Sequence, residues 1–557
     1  MAKIMTLIDY GRYRRSDLSL LLLATALTMI SSCSDPDEEL SSTYGVVTSA
    51  SPEATAAGIE ILNMGGNAID AMVAVSFALG VTEPAMSGLG GGCQILLGLP
   101  GSPPIMINGT TLSPASTPKE MDIDTLTYHR RSTIPSSLKA TYYTWEKYGS
   151  GQVSWEALLQ PAIRYAAQGF RIGEFRSKVY HRYAAQIMAS THNVEPWLMP
   201  DGSIPQVGDT LRQPLLAQTL KRVAKGGSET FYKGEIAKEI AQDMHDNGGW
   251  ISLQDLASFP DPEERPAIGT TFQDYSIYTT APPTGGWTML LALNLIRQLK
   301  GDDGEADRLA ILEALRLAHE DRAQRPVLDM DDSDSLLAAK LSDAYANALL
   351  ANAISGDYTK ETSDGGETTH FSIVDAKGMA VSYTASINAY FGALAAAPGL
   401  GFLYNTYMDD FIFGYPDHPW SIGPSKMAYS SMSPTIVQKN GTNVVVLGSP
   451  GSARIISAVA QVISNWAANQ NIIQSVEQPR YHVSNGKAYA EHMTDSTDLN
   501  GWILTKGHQW GTFRKDFDKA QRNAYFGGVH AIAYQNGRWV GVADPRRDGS
   551  ALTTAND

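Results

Sequence analysis

The chain has 557 residues, of which 43% are hydrophobic and 18% charged, and its formal net charge is −15 at pH 7. This acidity argues against binding nucleic acid or anionic lipid, because both carry negative charge themselves. With only two cysteines, stability must come from a buried core, and the chain is long enough to form a large one.

The first 32 residues have the pattern of a secretion signal. Basic residues precede an apolar run from Leu18 to Ile30, which is shorter than the roughly 20 residues of a membrane-spanning helix. The segment Ile30–Cys33 resembles a bacterial lipobox. We therefore expect residues 1–32 to be a lipoprotein signal peptide and Cys33 to be the lipidated first residue of an exported protein, held by its lipid in the periplasm or at the cell surface. An ordinary signal peptide with a chance cysteine is the alternative.

Residues 33–44 are acidic, contain a proline and have no apolar pattern, which is typical of a flexible tether. The pattern then predicts a strand, a helix of small residues, and a second helix that Asn67 and Asp70 can cap. The glycines of residues 88–92 favour a tight turn into the next strand over a phosphate-binding loop, because the Gly-x-Gly-x-x-Gly spacing is absent.

Residues 130–360 are predicted to be mostly helical, because apolar residues recur at three- and four-residue spacing. The helical segments are Tyr142–Lys147, Trp155–Ala167, Leu215–Ala224, Glu235–Asp246 and Ala306–Ala323. From Thr368 onward, alternating apolar and polar residues predict strands, with one helix over Ala453–Ala468. These strands are Thr369–Val374, Ala380–Thr384, Val444–Leu447, Val529–Tyr534 and Trp539–Ala543.

Between these two parts lies a candidate processing site. Residues 363–367 are polar and rich in glycine, which is typical of an exposed, permissive loop. Taken alone, Glu367–Ser372 is an ordinary junction between a loop and a strand. Its place in an ordered set of motifs gives it a second interpretation.

The ordered motifs resemble the γ-glutamyltransferases, a branch of the N-terminal-nucleophile hydrolases, over almost the whole mature chain. Each motif is weak alone, whereas their order is specific. The motifs are Gly65–Ala71, Ser87–Gly92, Ala281–Gly286, Ala314–Ala318, Glu367–Ser372, Met408–Phe411, Ser430–Thr435, Gly448–Gly451 and Asp544–Arg546. The resemblance implies an α/β (α+β) fold, the four-layer αββα sandwich of this superfamily, built from two chains of one precursor.

The resemblance also implies that the chain cuts itself between Glu367 and Thr368. Residues 45–367 would form a large subunit and residues 368–557 a small catalytic subunit, which stay together as a heterodimer in one folded unit. The chemistry explains why a threonine must become terminal. Its hydroxyl is a poor nucleophile without a base, and a free α-amine, with a pKa of about 7.7–8.0 in peptides, is a base on the same residue.

Other site residues follow from the same resemblance. Ser386 stands where the family uses a threonine hydroxyl to orient the nucleophile. Asn388, on the same strand face by the two-residue period, would contact the amino end of the substrate, and Asp410 would pair with its α-ammonium. Gly451 and Ser452 would present two backbone N–H groups to the oxyanion, with Ser452 replacing a glycine. A solvated acid at Asp410 and a plain turn at residues 448–452 are the alternatives.

Departures from the family concern the substrate. Thr110 stands where the family has the arginine that binds the substrate α-carboxylate, although Ser430 and Ser431, which also face that group, are retained. Tyr407 replaces a glutamine or glutamate, which suits a bulkier and less polar acyl group. The segment from Asp410 to Ser430 is shorter than in relatives with a full lid, which favours hydrolysis over transfer to an acceptor amine.

The leading hypothesis is therefore a self-processed γ-glutamyl hydrolase or transferase acting on glutathione-like donors. An acylase or amidohydrolase of the same fold, acting on a non-glutamyl amide, is the alternative within the enzyme class. A surface lipoprotein that kept the fold for binding and lost catalysis is the alternative of another class. We expect no cofactor and no metal, since the 11 histidines form no ligand pair of recognisable spacing.

Overall fold

The computed structural model describes residues 44–300, 307–327, 333–351, 366–418, 420–491, 497–516, 518 and 520–554. The predicted signal peptide, Cys33 and residues 34–43 of the predicted tether lie outside these residues, as do residues 363–365 of the predicted loop. Within the described ranges, no helix is both long and apolar enough to cross a membrane.

Helices and strands follow one another in short groups along the described chain. Its strands are β1 Val46–Ser49, β2 Gly92–Gly98, β3 Ile105–Gly109, β4 Phe170–Arg171, β5 Thr210–Leu211, β6 Glu263–Pro266, β7 Ile268–Phe272, β8 Tyr275–Thr279, β9 Gly366–Val374, β10 Ala380–Ala389, β11 Thr435–Lys439, β12 Thr442–Gly448, β13 Tyr481–Ser484, β14 Lys487–Ala490, β15 Gln509–Trp510, β16 His530–Gln535, β17 Arg538–Ala543 and β18 Ser550–Thr553. Its α-helices are α1 Pro52–Asn63, α2 Ala68–Thr82, α3 Ser137–Tyr148, α4 Trp155–Gln168, α5 Glu174–Arg182, α6 Ala184–Ala189, α7 Pro214–Tyr232, α8 Glu235–Asp246, α9 Leu253–Ala257, α10 Gly286–Lys300, α11 Arg308–Gln324, α12 Ser333–Lys340, α13 Asp343–Ala351, α14 Arg454–Asn469, α15 Ile472–Glu477 and α16 Thr497–Thr505.

Two large antiparallel sheets form the centre of the fold. One has the order β18-β1-β9-β10-β2-β3-β6 and the other β17-β16-β12-β11-β8-β7. Each sheet combines strands that precede Glu367 with strands that follow it: β9 lies between β1 and β10, and β11 pairs with β8. The two stretches of chain therefore share one hydrogen-bonded framework.

The two sheets pack face to face, with helices on the outer face of each. Apolar side chains from both sheets meet between them, including Val46, Leu96, Val446 and Ile532, all of them fully buried. Helices α1 and α2 contact the first sheet, and α10 and α14 contact the second. Burying a side chain of this size stabilises the fold by about 1.5–3 kcal/mol. This arrangement confirms the predicted αββα sandwich.

Helix α2 illustrates how local sequence determines an element. The Asn67 side chain accepts hydrogen bonds from the backbone at the start of the helix, and the Asp70 carboxylate accepts one from Asn67 N–H at 3.0 Å. This reciprocal cap is the one that the sequence predicts. The helix is apolar on almost every side, because it lies between the first sheet and the outer helices.

Residues 263–279 differ from the prediction of a mostly helical middle segment, because they form β6, β7 and β8. Strands β6 and β7 are the edges of the two large sheets, and many of their side chains are exposed. Such edge strands have no strong two-residue period in their sequence. Their conformation is determined by pairing with β3 and β8.

Candidate active site

Thr368 is the third residue of the central strand β9. Phe371 and Ile373 pack toward the helices, so by the alternation of a strand Thr368 faces the second sheet. Both Glu367 and Thr368 are buried, at 6% and 4% exposure. The prediction of an exposed loop is therefore wrong at Glu367, because this residue already belongs to β9 and its carboxylate is paired with arginines.

Most of the predicted site residues lie around one pocket. Its wall consists of Thr368, Ser386, Asn388, Tyr407, Asp410, Tyr429, Ser430, Ser431, Met432, Ser452 and Ile455. These residues come from β9, β10, a short 3₁₀ helix, the loops before β11 and after β12, and the first turn of α14. Thr110 and Gly451 are not among the residues lining it.

Strand β10 carries a bulge opposite Thr368. Ala385 pairs with Thr369 and Asn388 with Glu367, so that two residues of β10 face one residue of β9. The Ser386 hydroxyl donates a hydrogen bond to the Glu367 carbonyl oxygen at 2.5 Å and accepts one from Asn388 N–H at 2.7 Å. The expected regular alternation of Ser386 and Asn388 is thus replaced by a bulge, although both residues line the pocket.

The two aspartates of the Met408–Phe411 motif have different surroundings. Asp409 pairs with Arg131 on the far side of the 3₁₀ helix Tyr407–Asp410, and burial raises the pKa of its carboxyl. Asp410 is 8% exposed and lines the pocket. Asn388 is fixed beside this helix, because its Nδ2 donates to the Thr406 carbonyl at 3.0 Å.

A buried arginine lies behind the serine pair. Arg322 Nη1 donates to Ser431 Oγ at 2.8 Å, and Nη2 donates to the Ser430 carbonyl at 2.9 Å. Its guanidinium carbon lies 5.1 Å from the centroid of the Tyr429 ring, which lines the pocket. Arg322 is not among the residues that the sequence predicts for the site, although it lies on α11 one turn beyond the motif Ala314–Ala318.

Thr110 follows β3 and its hydroxyl has two partners. It donates to Asn108 Oδ1 at 2.6 Å and accepts from Gln94 Nε2 at 2.8 Å. These contacts hold the hydroxyl among polar side chains of the first sheet.

The loop after β12 has the backbone conformation of a tight turn. Gly451 has φ 124° and Ser452 has φ 55°, and the left-handed conformation costs a residue with a side chain about 1–2 kcal/mol. Ser449 Oγ donates to the Pro450 carbonyl at 2.8 Å and accepts from Gly528 N–H at 3.1 Å. These contacts fix the loop, and Ser452 lines the pocket.

Charged residues behind Thr368 were also missed. Glu367 pairs with Arg454 and Arg547, and the Thr369 hydroxyl donates to Glu83 at 2.6 Å. Burial raises the pKa of the Glu83 carboxyl to about 7, against the opposing effect of the bond from Thr369. The sequence could have indicated the two arginines, because Arg454 closely follows the motif Gly448–Gly451 and Arg547 directly follows Asp544–Arg546.

The pocket brings together the Thr368 hydroxyl, the Asp410 carboxylate and the turn at Ser452. The Glu367 carbonyl next to Thr368 already accepts a hydrogen bond from Ser386. These groups suit acyl transfer to oxygen. Across the described ranges, no three His, Cys, Asp or Glu side chains are grouped so as to hold a metal ion.

Comparisons with known proteins agree with this geometry. The family model for gamma-glutamyltranspeptidase matches residues 54–554. The chain is 34% identical to the glutathione hydrolase proenzyme of Escherichia coli (strain K12), over 79% of this chain and 80% of that protein. It is 31% identical to the acylase ACY 1 proenzyme of Pseudomonas sp. (strain V22), over 91% and 93% of the two chains. The crystal structure of cephalosporin acylase from Bacillus halodurans superimposes with a TM-score of 0.78 at 25% identity, covering 94% of this chain and 99% of that one. The protein therefore belongs to the gamma-glutamyltranspeptidase family.

Proposed function

We propose that this protein is a self-activating hydrolase that cleaves γ-glutamyl amide bonds, as in glutathione-like donors, through an acyl-enzyme on Thr368. The proposal is supported most by the convergence of Ser386, Asp410 and the serine pair on one pocket with Thr368. In addition, Ser386 hydrogen-bonds the carbonyl of Glu367, which is the group that Thr368 must attack to free its own amine.

Activation requires one rearrangement and one hydrolysis. The Thr368 hydroxyl attacks the Glu367 carbonyl carbon, the C–N bond breaks, and the acyl group moves from nitrogen to oxygen as an ester. Water then hydrolyses the ester, which releases Glu367 as a carboxylate and leaves a free amine on Thr368. Ser386 favours the first step, because its hydrogen bond strengthens as negative charge develops on the carbonyl oxygen.

In each turnover, the amine takes the proton of the Thr368 hydroxyl while the oxygen attacks the substrate carbonyl. The backbone N–H groups of Gly451 and Ser452 stabilise the oxyanion, and donors in such positions contribute about 3 kcal/mol each. The amine then protonates the leaving nitrogen, and water releases the acyl group. We expect hydrolysis to exceed transfer, because the short segment from Asp410 to Ser430 leaves the acyl-enzyme accessible to water.

The pocket wall has different polar groups for the two ends of a γ-glutamyl group, one carboxylate and a pair of hydroxyls. Asp410 would pair with the α-ammonium. The hydroxyls of Ser430 and Ser431 would bind the α-carboxylate, and Arg322 lies directly behind them. A buried guanidinium favours an anion in front of the serines, since charge interactions are weakly screened there.

A second candidate is an acylase acting on a non-glutamyl amide. Thr110 favours it, because its hydroxyl is bound to Asn108 and Gln94 and no arginine stands at this position. The ring of Tyr407 in the pocket wall also suits a less polar acyl group.

The first test is whether the chain cuts itself. The purified protein should run on a denaturing gel as two fragments, the smaller one beginning at Thr368, whereas Thr368→Ala should remain one chain and be inactive. Cleavage of the alanine variant at the same bond would assign the cutting to another protease. A single uncut and inactive wild-type chain would favour the binding lipoprotein instead.

Three anilides then separate the two enzyme candidates. The γ-glutamyl compound carries both the ammonium and the carboxylate, the glutaryl compound only the carboxylate, and the 4-aminobutyryl compound only the ammonium. A γ-glutamyl hydrolase should prefer the first, measured as kcat/KM. Equal or better cleavage of simple acyl anilides would support the acylase.

We also propose that the protein is an exported lipoprotein anchored through Cys33. Cys33→Ser should move it from the membrane fraction to the soluble fraction, since one cysteine carries the whole anchor. The wild-type protein, expressed in parallel, is the control. A serine variant that still sediments with membranes would contradict the anchor.

A further inference from the structure

Glu83 is a buried carboxyl behind strand β9, on the side away from the active-site pocket. It directly follows α2 and is fully buried. Its Oε2 accepts a hydrogen bond from the Thr369 hydroxyl at 2.6 Å, and its Oε1 has no hydrogen-bond partner among the residues that the structure describes. A buried carboxyl with an unsatisfied oxygen lowers stability, and such groups are concentrated at functional sites.

The turn that begins at Glu83 contacts both strands that carry the site. Met86 N–H donates to the Glu83 carbonyl at 2.9 Å, which closes the turn. The Met86 carbonyl accepts a hydrogen bond from Ile387 N–H at 3.0 Å, and Ile387 belongs to the bulge of β10. The Glu83 side chain holds β9 through Thr369. The turn therefore fixes the two strands relative to each other, next to Thr368 on one strand and at the bulge of the other.

The carboxyl of Glu83 lies close to the nitrogen that cleavage is proposed to free. Thr369 directly follows Thr368, and consecutive Cα atoms are about 3.8 Å apart, which places the Thr369 hydroxyl within about 7 Å of the Thr368 nitrogen. The Glu83 Oε2 is 2.6 Å from that hydroxyl. Because side chains alternate along a strand, Thr369 faces α2 while Thr368 faces the pocket, and Glu83 is not part of the pocket wall. Glu83 can therefore act on the nitrogen without touching the substrate.

Other charged groups face Glu83 from two elements. Arg176 lies on α5, and Arg547 and Asp548 lie in the turn before β18. Arg547 is paired with Glu367 at 2.7 Å, and Arg176 with Asp548 at 3.2 Å. Burial raises the pKa of Glu83 to about 7, against the hydrogen bond at Oε2 and the attraction of both arginines, and Asp548 adds to the rise. Glu83 therefore gains or loses its proton near neutral pH, whereas the arginines stay charged.

We propose that Glu83 positions Thr368 through Thr369 and that, in the processed enzyme, its carboxylate stabilises the ammonium that forms on Thr368 when the amine takes the hydroxyl proton. This inference rests on the proposed function, because it requires Thr368 to be the nucleophile. A nearby opposite charge favours the ammonium, so the ionised Glu83 raises the pKa of the amine and makes it a stronger base. The proton still passes from the hydroxyl to the amine and then to the leaving nitrogen. Glu83 exchanges no proton with the substrate and is a positioning residue.

Glu83→Gln tests the charge, because the glutamine amide can still accept from Thr369 and has nearly the same volume. The acid limb of kcat/KM, measured with the anilide that the wild type cleaves best, reports the pKa of the amine in the free enzyme. In the glutamine variant this limb should move to lower pH by about 1 pH unit, as expected for one charge at this distance inside a protein. The plateau should fall about 2- to 5-fold, since the amine becomes a weaker base.

Thr369→Val and Thr369→Ser test the same contact from the strand. Without the hydroxyl, Glu83 loses the hydrogen bond that favours its ionised form. The valine variant should therefore move the acid limb in the same direction as Glu83→Gln, whereas the serine variant should keep the wild-type profile. Glu53→Gln is the matched control, because it removes a carboxylate that pairs with Arg176 at 3.3 Å instead of with Thr369. It should leave the acid limb unchanged.

The outcomes separate this inference from the proposed function. A processed, active Glu83→Gln enzyme with the wild-type acid limb overturns the role of Glu83 and leaves the function intact. An equal movement in Glu53→Gln also overturns it, since the general field of the charges around Arg176 would then explain the effect. If Glu83→Gln fails to mature, the valine and serine variants decide in its place.

If Glu83→Gln and Thr369→Val both fail to mature, Glu83 serves folding or cleavage, and its role toward the amine is overturned. A wild-type protein that never processes overturns both the inference and the proposed function.

Discussion

Ser386 contacts the carbonyl of the bond that is predicted to break, and its role can be tested apart from that of Thr368. Ser386→Ala removes the donor to the Glu367 carbonyl oxygen. Loss of one such donor typically slows acyl transfer by about 10²–10³-fold. We therefore expect the alanine variant to mature at least 100-fold more slowly, measured as the cleaved fraction over time on a denaturing gel.

Ser386→Thr is the matched control, because it keeps the hydroxyl and should mature at a rate close to that of the wild type. If the alanine and threonine variants mature equally fast, the hydrogen bond to Glu367 contributes nothing to cleavage.

Asp410 is the residue through which recognition of the substrate ammonium can be measured. Asp410→Asn keeps the shape of the side chain and removes its charge. A charge-assisted pair contributes about 1.5–3 kcal/mol, so kcat/KM should fall about 10- to 150-fold for the γ-glutamyl and 4-aminobutyryl anilides. The glutaryl anilide has no ammonium and should be affected little. A uniform loss for all three would show that Asp410 acts on the shape of the pocket instead.

Thr110→Arg tests the opposite end of the acyl group. The new arginine side chain has to extend away from Asn108 and Gln94 to reach the serine pair. It should then raise kcat/KM for the γ-glutamyl and glutaryl anilides by about 10-fold or more. The kcat/KM for the 4-aminobutyryl anilide, which has no carboxylate, should stay unchanged. If the wild type already strongly prefers the two carboxylated donors and the variant gains nothing, Arg322 is the natural source of the charge.

Among the elements, the bulge of β10 depends on the close approach of a glycine. A Cβ atom on Gly91 would overlap the carbonyl oxygen of Ser386. Gly91→Ala should therefore shift the bulge, lower stability by about 1–3 kcal/mol and slow maturation. The thermal unfolding midpoint and the cleaved fraction measure both effects.

Gly501→Ala is the control for this prediction. Gly501 lies in α16, and an added Cβ has open space around it. It should be neutral or stabilising by up to about 1 kcal/mol, since alanine is the better helix former. Gly91→Ala with wild-type stability and maturation would show that the strand adapts to the extra atom.

The elements also show how far the sequence alone leads. Helix α8 has the bounds that its apolar period predicts, because the period of an amphipathic helix is a local property. The edge strands β6 and β7 and the bulge at residues 385–388 depend on neighbours distant in the chain. The same holds for Arg547, which reaches Glu367 across 180 positions of sequence. The order of the motifs was enough to predict most of the pocket residues. The contacts of the arginines around them could not be predicted, because these contacts form only when distant parts of the chain fold together.

At the scale of the whole molecule, the protein is a hydrolase or transferase whose large and small chains share both central sheets. Because strands from both sides of Glu367 are interleaved, cleavage of one bond leaves the hydrogen-bonded framework intact. We therefore expect the two fragments to separate only on denaturation. Elution of the fragments as separate species from a native sizing column would contradict this.

The sandwich also contains buried histidines that make its stability depend on pH. Burial lowers the pKa of His370 and His482 well below 6.5, with neighbouring histidines adding to the effect, and lowers that of His530 to about 3. Each is neutral in the folded protein, whereas the unfolded chain protonates it below about pH 6.5. Stability should therefore fall as pH falls from 6.5 toward 3, by up to about 1.4 kcal/mol per pH unit for each histidine.

Glu83 has the opposite effect on the pH dependence of stability, because burial raises its pKa to about 7 in the folded protein. As pH falls, the folded state therefore binds a proton at Glu83 before the unfolded chain does, which stabilises the fold. For these four groups, the net effect between pH 7 and 5.5 should still be a loss of stability, since three histidines oppose one carboxyl. The thermal unfolding midpoint of the uncut Thr368→Ala chain measures it without separation of fragments. His530→Asn should make the fall shallower, Glu83→Gln should make it steeper, and His245→Asn, on the exposed face of α8, should leave it unchanged. A midpoint that stays constant or rises over this range would mean that the buried histidines do not control stability.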